Sequence, residues 1–306
     1  MSFKIGIPKA LLYYKYYRGW NKFFEELGCE VVNSDKSTKD IVDKGVSLSV
    51  DEACFPVKLF LGHVDYLKDK VDYLFIPRVI SVQPREYLCP KFMGLPDMVR
   101  HNIDRIPPII DTTINMRSRK RDLLKSAFEV GDILGKGYIE VTKALFKALR
   151  ELRRYKKEML DKSHDRFDYK IGLLGHEYII YDPHVSMNLI KKLRKMGVDV
   201  ITSEMVDDQI LEEQAKGFSK DMFWTLSKSM LGSAYHFFER DDIDGIIQLT
   251  AFGCGPDSLV GEMVERESKR RRSQPFISLN LDEHTGEAGL VTRLEAFIDM
   301  IRWEGA

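Results

Sequence analysis

Three cysteines, Cys54, Cys89 and Cys254, stand in the segments SVDEACFPVK, REYLCPKF and TAFGCGPDS, with proline at the next position or the one after. The thiolate is both metal ligand and nucleophile, and a helix N-terminus favours that charged form. A proline behind the cysteine supplies no N–H and stiffens the turn, which holds a ligand in place at low entropic cost. Cys89 lies 35 positions after Cys54, and Cys254 lies 165 after Cys89, so no compact CxxC motif exists. Spacing therefore leaves two readings open: small buried residues at strand ends, or three thiols converging on one metal centre. In the second case the count matters. Structural zinc takes four protein ligands, so His63, His176 or His284 would have to complete it. Three thiolates also suit a cubane iron–sulfur cluster with one iron left open, and soft sulfur donors favour either metal over hard cations. The fourth cysteine, Cys29 in EELGCEVV, falls where a helix gives way to a strand and reads as structural.

The elements that must position these thiols alternate strand and helix. KIGIP, EVVNS, VSLSV, VDYLFIP and PPIIDTTI read as strands of a first half. Helices are expected over residues 10–27, from the Ser37/Thr38 cap to Lys44-Gly45, from about Phe55 to Lys70, and from about Pro96. Each of the three cysteines is placed where a strand leads into a helix, and in an open parallel α/β sheet such ends gather on the ligand-binding edge. Residues 119–163 form a basic segment read as a long amphipathic linking helix with a solvated face. DYKIGLLGH, VDVITSE, DGIIQLT and QPFISLNLDE then supply the strands of a second half, with helices over 184–197, PDSLVGEMVERE and RLEAFIDMIRW. KIG occurs in the first strand of both halves, and a helix ending in Gly precedes the second strand of both, which suggests duplication. The expected fold class is α/β: two Rossmann-like lobes with mostly parallel sheets flanked by helices and a cleft between them. The lobes are assigned to residues 1–165, with the basic linker helix, and 166–306.

Composition limits the function. Lys+Arg and Asp+Glu are both 47 in 306 residues, so no net charge draws the chain to nucleic acid or an anionic membrane. No apolar run approaches the ~20 residues that span a bilayer. The start MSFKIGIPKALLYY lacks a signal-peptide layout, and four scattered cysteines suit a reducing, cytoplasmic setting. Around the thiols, Glu52 (with Asp51) reads as a proton donor or a helix cap. LDEHTGEAG places Asp282, Glu283, His284 and Glu287 at the cysteine edge, with Glu283 and His284 as acid and base or as part of an ordering loop. Lys58, Arg78 and Lys91 read as ion-paired groups ahead of anion neutralisers. His63 and His176 read as structural hydrogen-bonding groups ahead of ligands. The row Tyr13, Tyr14, Tyr16, Tyr17 and Trp20 reads as a core face ahead of a homodimer interface.

EACFPVKLFLGHVDYL, VDYLFIPR…CPKFMGLPD, LLGHEYIIYD, AFGCGPDSL and LDEHTGEAGLVTRLEAFIDM together resemble the uncharacterised, component-D-related branch of the 2-hydroxyacyl-CoA dehydratase and benzoyl-CoA reductase superfamily. The resemblance runs from KIGIPKAL to the last helix. It implies a [4Fe-4S] cluster held by Cys54, Cys89 and Cys254, the last from the second lobe, and single electrons delivered by an ATP-hydrolysing activase partner. It also implies a reductase or dehydratase-like activity, or a subunit of such an enzyme, on an acyl-CoA or other small molecule. This chain has no glycine-rich loop with Lys and Ser/Thr, so ATP hydrolysis is assigned to the partner. The rival expectation is a non-catalytic scaffold or cluster carrier holding zinc or iron–sulfur for that activase.

Overall fold

The computed structural model describes residues 2–118, 122–161, 167–218, 221–271 and 274–304. The lobe boundary expected at 165/166, and the ends of the basic segment at 119–121 and 162–163, lie outside the described residues. The chain forms two compact units, Met1–Glu158 with Phe223–Thr225, and Met159–Met222 with Leu226–Ala306.

The first unit runs β1 (Lys4–Ile7), α1 (Tyr13–Glu26), β2 (Glu30–Asn33), α2 (Lys39–Ser47), α3 (Phe55–Leu67), β3 (Tyr73–Phe75), β4 (Arg78–Ser81), α4 (Pro90–Asn102), β5 (Ile109–Ile110), β6 (Thr113–Asn115), α5 (Asp122–Leu134) and α6 (Tyr138–Leu160). Its parallel sheet has the order β2-β1-β3-β5, and β4 pairs β6 beyond it. The bonds Ile76 N–H to the Ile110 carbonyl and Arg78 N–H to the Thr112 carbonyl, both 3.1 Å, carry the ladder past Pro77. Phe223–Thr225 returns to this unit as a parallel bridge on Tyr87. The aromatic row of α1 is a core face: Tyr13 and Tyr14 are buried, and the Trp20 ring stands 5.3 Å from that of Phe75. Burial, reinforced by the neighbouring Tyr17, pushes the Tyr13 phenol up to about 12.

Three expectations need correction. VSLSV is not a strand, because α2 continues through Gly45 to Ser47. That continuation lets α2 cross α3 at van der Waals contact: a Cβ on Gly45 would stand 2.0 Å from the Lys58 carbonyl oxygen, and one on Gly62 2.0 Å from that of Ile41. The next helix starts at Pro90 rather than near Pro96, with Pro90 in the first turn that tolerates it. The basic segment is two helices, broken at Gly135, whose φ of +65° is a left-handed stop. Part of the basic face of α6 is engaged by α1, with Lys147 Nζ 2.6 Å from Glu26 Oε2 and the Arg18 guanidinium 4.4 Å from the Tyr155 ring centre.

The second unit runs β7 (Tyr169–Leu174), α7 (Glu177–Ile180), α8 (Leu189–Lys195), β8 (Val198–Thr202), α9 (Asp208–Ala215), α10 (Thr225–Phe238), β9 (Gly245–Ala251), α11 (Gly255–Arg271), β10 (Phe276–Leu281) and α12 (Glu287–Glu304). Its four strands are parallel in the order β10-β9-β7-β8. Numbered from its own first strand, this is the same 2-1-3-4 order as the first sheet, with KIG in the first strand of each. β9 is buried along its whole length, as a central parallel strand must be. The α/β class with parallel, helix-flanked sheets is thus present in both units. No helix among the described residues is long and apolar enough to cross a membrane.

Candidate metal-ligand site

The three cysteines share one local device: each starts a helix with its own carbonyl. Cys54 is the N-cap of α3, and its carbonyl accepts the N–H groups of Val57 (2.9 Å) and Lys58 (3.2 Å). Cys89 is the N-cap of α4, bonded at 3.0 Å by Phe92 N–H. The Cys254 carbonyl accepts Ser258 N–H at 3.1 Å and Ser258 Oγ at 2.9 Å as α11 begins. Neither N-cap thiol makes a capping hydrogen bond, so the sulfur is not spent on the helix end. None of the three is in a disulfide; Cys54 is buried and the other two are half-buried. The approach to Cys54 differs from expectation: the chain arrives from α2 through a turn (Ala53 N–H to Val50 O, 3.0 Å), not from a strand. Cys29 follows the end of α1 and leads into β2, and burial pushes its thiol up. Cys54 and Cys89 belong to the first unit and Cys254 to the second.

In the second unit the sheet itself gathers chemistry. β8 lies on one side of β7 and β9 on the other, so the chain changes direction between β7 and β9, which is where open α/β sheets bind ligands. The parallel register sets Leu174 beside Gln248 and Ala251 beside Leu281. The turns after β7, β9 and β10 therefore leave from one edge. They carry His176, Cys254, and Asp282 to Thr285. Gly175, at φ +150°, brings the first turn in close: a Cβ there would stand 2.8 Å from the Leu249 carbonyl oxygen. His176 then caps α7, and Asp257 lies in the first turn of α11. The result is a group in which one ligand atom each of His176, Cys254 and Asp257 lies within 4.8 Å of the other two. His176 Nε2 is 2.6 Å from Asp257 Oδ1. Asp257 is fully buried, yet neither of its oxygens accepts an aligned hydrogen bond. Sequence reasoning missed Asp257 and preferred a structural role for His176. The available signal was the position of Asp257 in C-G-P-D, three residues past the cysteine and so in the helix turn that faces the same edge.

The remaining expected residues fall as follows. Glu52 and Asp51 are exposed in the turn before Cys54; neither occupies the N-cap, which is Cys54 itself. His284 is exposed and Glu283 half-buried. Asp282 orders their loop, accepting His284 N–H at 2.9 Å and Thr285 Oγ1 at 2.7 Å, and the Thr285 hydroxyl foremost holds its carboxyl below the usual range. Glu287 pairs with Lys192 at 2.6 Å. His63 is structural, its two ring nitrogens each 2.9 Å from a hydroxyl, Ser34 and Ser37. Lys58 is buried rather than an exposed ion pair. Arg78 is committed to carboxylates, with Nη2 2.6 Å from Asp97 Oδ1 and 3.1 Å from Asp111 Oδ2. Its hydrogen bonds hold Asp97 down from an ordinary 3.8 to about 2. A carboxylate depressed on folding adds stability above its unfolded pKa and loses it as pH falls towards the folded one. Asp97→Asn is therefore expected to lower urea resistance at pH 7 and to converge on the parent as pH falls through about 2; a difference independent of pH would count against the pair.

Two parallel, helix-flanked sheets make this an α/β protein of the Rossmann-like class, with thiols at helix starts and a His–Cys–Asp group at a sheet switch point. More particularly, the chain belongs to the family described as the CoA enzyme activase uncharacterised domain (DUF2229), whose model matches residues 4–206. That family relates to the activase/dehydratase superfamily. The matched segment contains Cys54, Cys89 and His176; Cys254 and Asp257 lie beyond it. No curated protein matches the chain. A solved structure titled "Crystal structure of ZnuA" aligns over 99% of both chains at 10% identity with a TM-score of 0.28, a likeness too slight to carry any argument.

Proposed function

We propose that this chain is a component-D-like iron–sulfur protein that holds a [4Fe-4S] cluster through Cys54, Cys89 and Cys254. It takes part in low-potential electron transfer or reduction driven by an ATP-hydrolysing activase. The observation that supports it is the repeated device: three cysteines outside any disulfide, each a residue whose carbonyl opens a helix, with proline close behind and no capping bond consuming the sulfur of either N-cap. Such a donor set fits the group, since three thiolates at fixed helix starts match the ligand class of iron–sulfur clusters. The family relationship supports an activase-type electron donor as the partner. When bound, the cluster would supply one-electron chemistry. The chain's own contribution is to fix the thiols through α3, α4 and α11. An acyl-CoA or another small molecule would be the acceptor, in a cytoplasmic setting.

The test is anaerobic expression and purification with iron and sulfide analysis and an absorption spectrum. A brown protein with near-stoichiometric iron and sulfide and thiolate-to-iron absorbance at ~400 nm is expected. A preparation that stays colourless and takes up no iron or sulfide on anaerobic reconstitution, even after any bound zinc has been chelated, overturns the reading.

A further inference from the structure

We propose that His176, Cys254 and Asp257 form a mononuclear site for a borderline-soft divalent cation of the zinc class. The site lies wholly within the second unit and needs neither Cys54 nor Cys89. It does not rest on the cluster assignment, and it gives Cys254 a second, competing use.

Asp257 carries the argument. A buried polar atom is normally satisfied, and one that is not points to an ion or water at the site. Both oxygens of this fully buried carboxylate lack an aligned donor. The imidazole beside it is only 2.6 Å away at Nε2, but the approach is not that of a hydrogen bond from the ring N–H. A proton relay to the thiol would spend one carboxylate oxygen on an aligned bond to the ring. The group instead converges, one atom from each residue within 4.8 Å of the other two. Ligands on a tetrahedral zinc, at roughly 2.0–2.3 Å from the metal, stand about 3.3–3.6 Å apart, so the His176–Asp257 pair opens from its 2.6 Å as an ion enters, while separations of up to 4.8 Å close. The donor types also match. Thiolate, imidazole and carboxylate are the zinc ligand set, whereas calcium and magnesium require oxygen alone.

The scaffold suits a preformed site. His176 leaves the end of β7 and Cys254 the end of β9, adjacent strands on either side of the switch point. Asp257 is fixed by the first turn of α11, where a carboxylate also complements the helix dipole. Three protein ligands leave a fourth position for water or an incoming molecule, the arrangement of zinc sites that do chemistry rather than only hold structure.

The test uses the full-length chain with Cys54→Ala and Cys89→Ala, stripped of metal under anaerobic conditions and titrated with Co²⁺. The expected result is one equivalent bound, with a thiolate-to-cobalt charge-transfer band and tetrahedral visible bands, both displaced by Zn²⁺. Adding Cys254→Ser should remove the charge-transfer band. Adding His176→Ala or Asp257→Asn should weaken binding by more than the ~10–100-fold typical of losing a mere supporting group. Circular dichroism of each metal-free variant verifies folding, and His176→Gln serves as a second probe should Asp257→Asn not fold. A folded double variant that binds no Co²⁺, or binding that survives both His176→Ala and Asp257→Asn, overturns the site. Failure here is separate from failure of the cluster reading, which is scored by iron and sulfide in the parent chain. If both hold, zinc-loaded parent should resist cluster reconstitution until the zinc is chelated.

Discussion

Gly62→Ala is expected to destabilise the first unit by about 3 kcal/mol, at the upper end of ordinary overpacking costs, although alanine is the better helix former by ~1 kcal/mol. The sign reverses because of where the methyl would go. A Cβ on Gly62 meets the Ile41 carbonyl oxygen at 2.0 Å, and a Cβ on Gly45 meets that of Lys58 at 2.0 Å. Both obstacles are backbone, so no rotamer change relieves them, and α2 and α3 must separate. Gly94, inside α4, is the internal control: nothing lies within 4 Å of its Cβ position, so Gly94→Ala should gain ~0.5–1 kcal/mol. Denaturant unfolding of the two variants checks this, and a Gly62→Ala protein as stable as the parent would refute the close crossing. The two contacts are reciprocal, so the double variant Gly45→Ala/Gly62→Ala should cost less than the sum of the singles. The crossing also matters for the thiols, since α3 begins at Cys54. Under the proposed cluster assignment, a chain that survives Gly62→Ala should hold the cluster less well, because the start of α3 at Cys54 has shifted.

That crossing explains where the sequence misled. Gly45 after Lys44 looks like a helix stop, and VSLSV has the alternation and β-branched content of a strand. Tertiary contact overrides both signals, because glycine at this position is kept for close approach, not for termination. Buried parallel strands were legible for the opposite reason. KIGI, YLF, YKIGLL and GIIQLTA are short apolar runs bounded by turns, and burial on both faces makes the run continuous. Their shared 2-1-3-4 order, foreshadowed only by KIG and the Gly-terminated helices, could be seen only once the strands were paired. The helix starts at Cys54, Cys89 and Cys254 were legible from the prolines behind them. Asp257 was hidden because an acidic residue in a first helical turn is ordinary, and only its burial and unpartnered oxygens set it apart. Glu52 and His284, polar residues next to a thiol and a strand end, are both exposed. Asp282 turned out to order its loop through Thr285 and the His284 amide.

Single substitutions Cys54→Ala, Cys89→Ala and Cys254→Ala are each expected to reduce the ~400 nm absorbance of anaerobic protein at least about 10-fold, because three thiolates leave no spare ligand on a cluster. Unfolding is not expected to confound this readout. The Cys54 and Cys89 sulfurs make no capping bond, the helix starts depend on backbone carbonyls that alanine retains, and a cysteine otherwise behaves as a small apolar residue. Circular dichroism and denaturant midpoints should therefore stay near those of the parent while the colour goes. Cys29→Ala is the matched negative: Cys29 is buried and its thiol is pushed up, away from the thiolate that a metal requires. Its removal should leave the spectrum intact. Cys254→Ala carries the most information, since it alone lies in the second unit and outside the segment the family model matches. Colour retained in that variant but lost in the other two would place the cluster on the first unit and leave Cys254 to His176 and Asp257. Colour lost in all three, with Co²⁺ still bound by the Cys54→Ala/Cys89→Ala chain, would mean that one thiol serves two mutually exclusive metal states. The metal supply would then decide which of them the protein adopts.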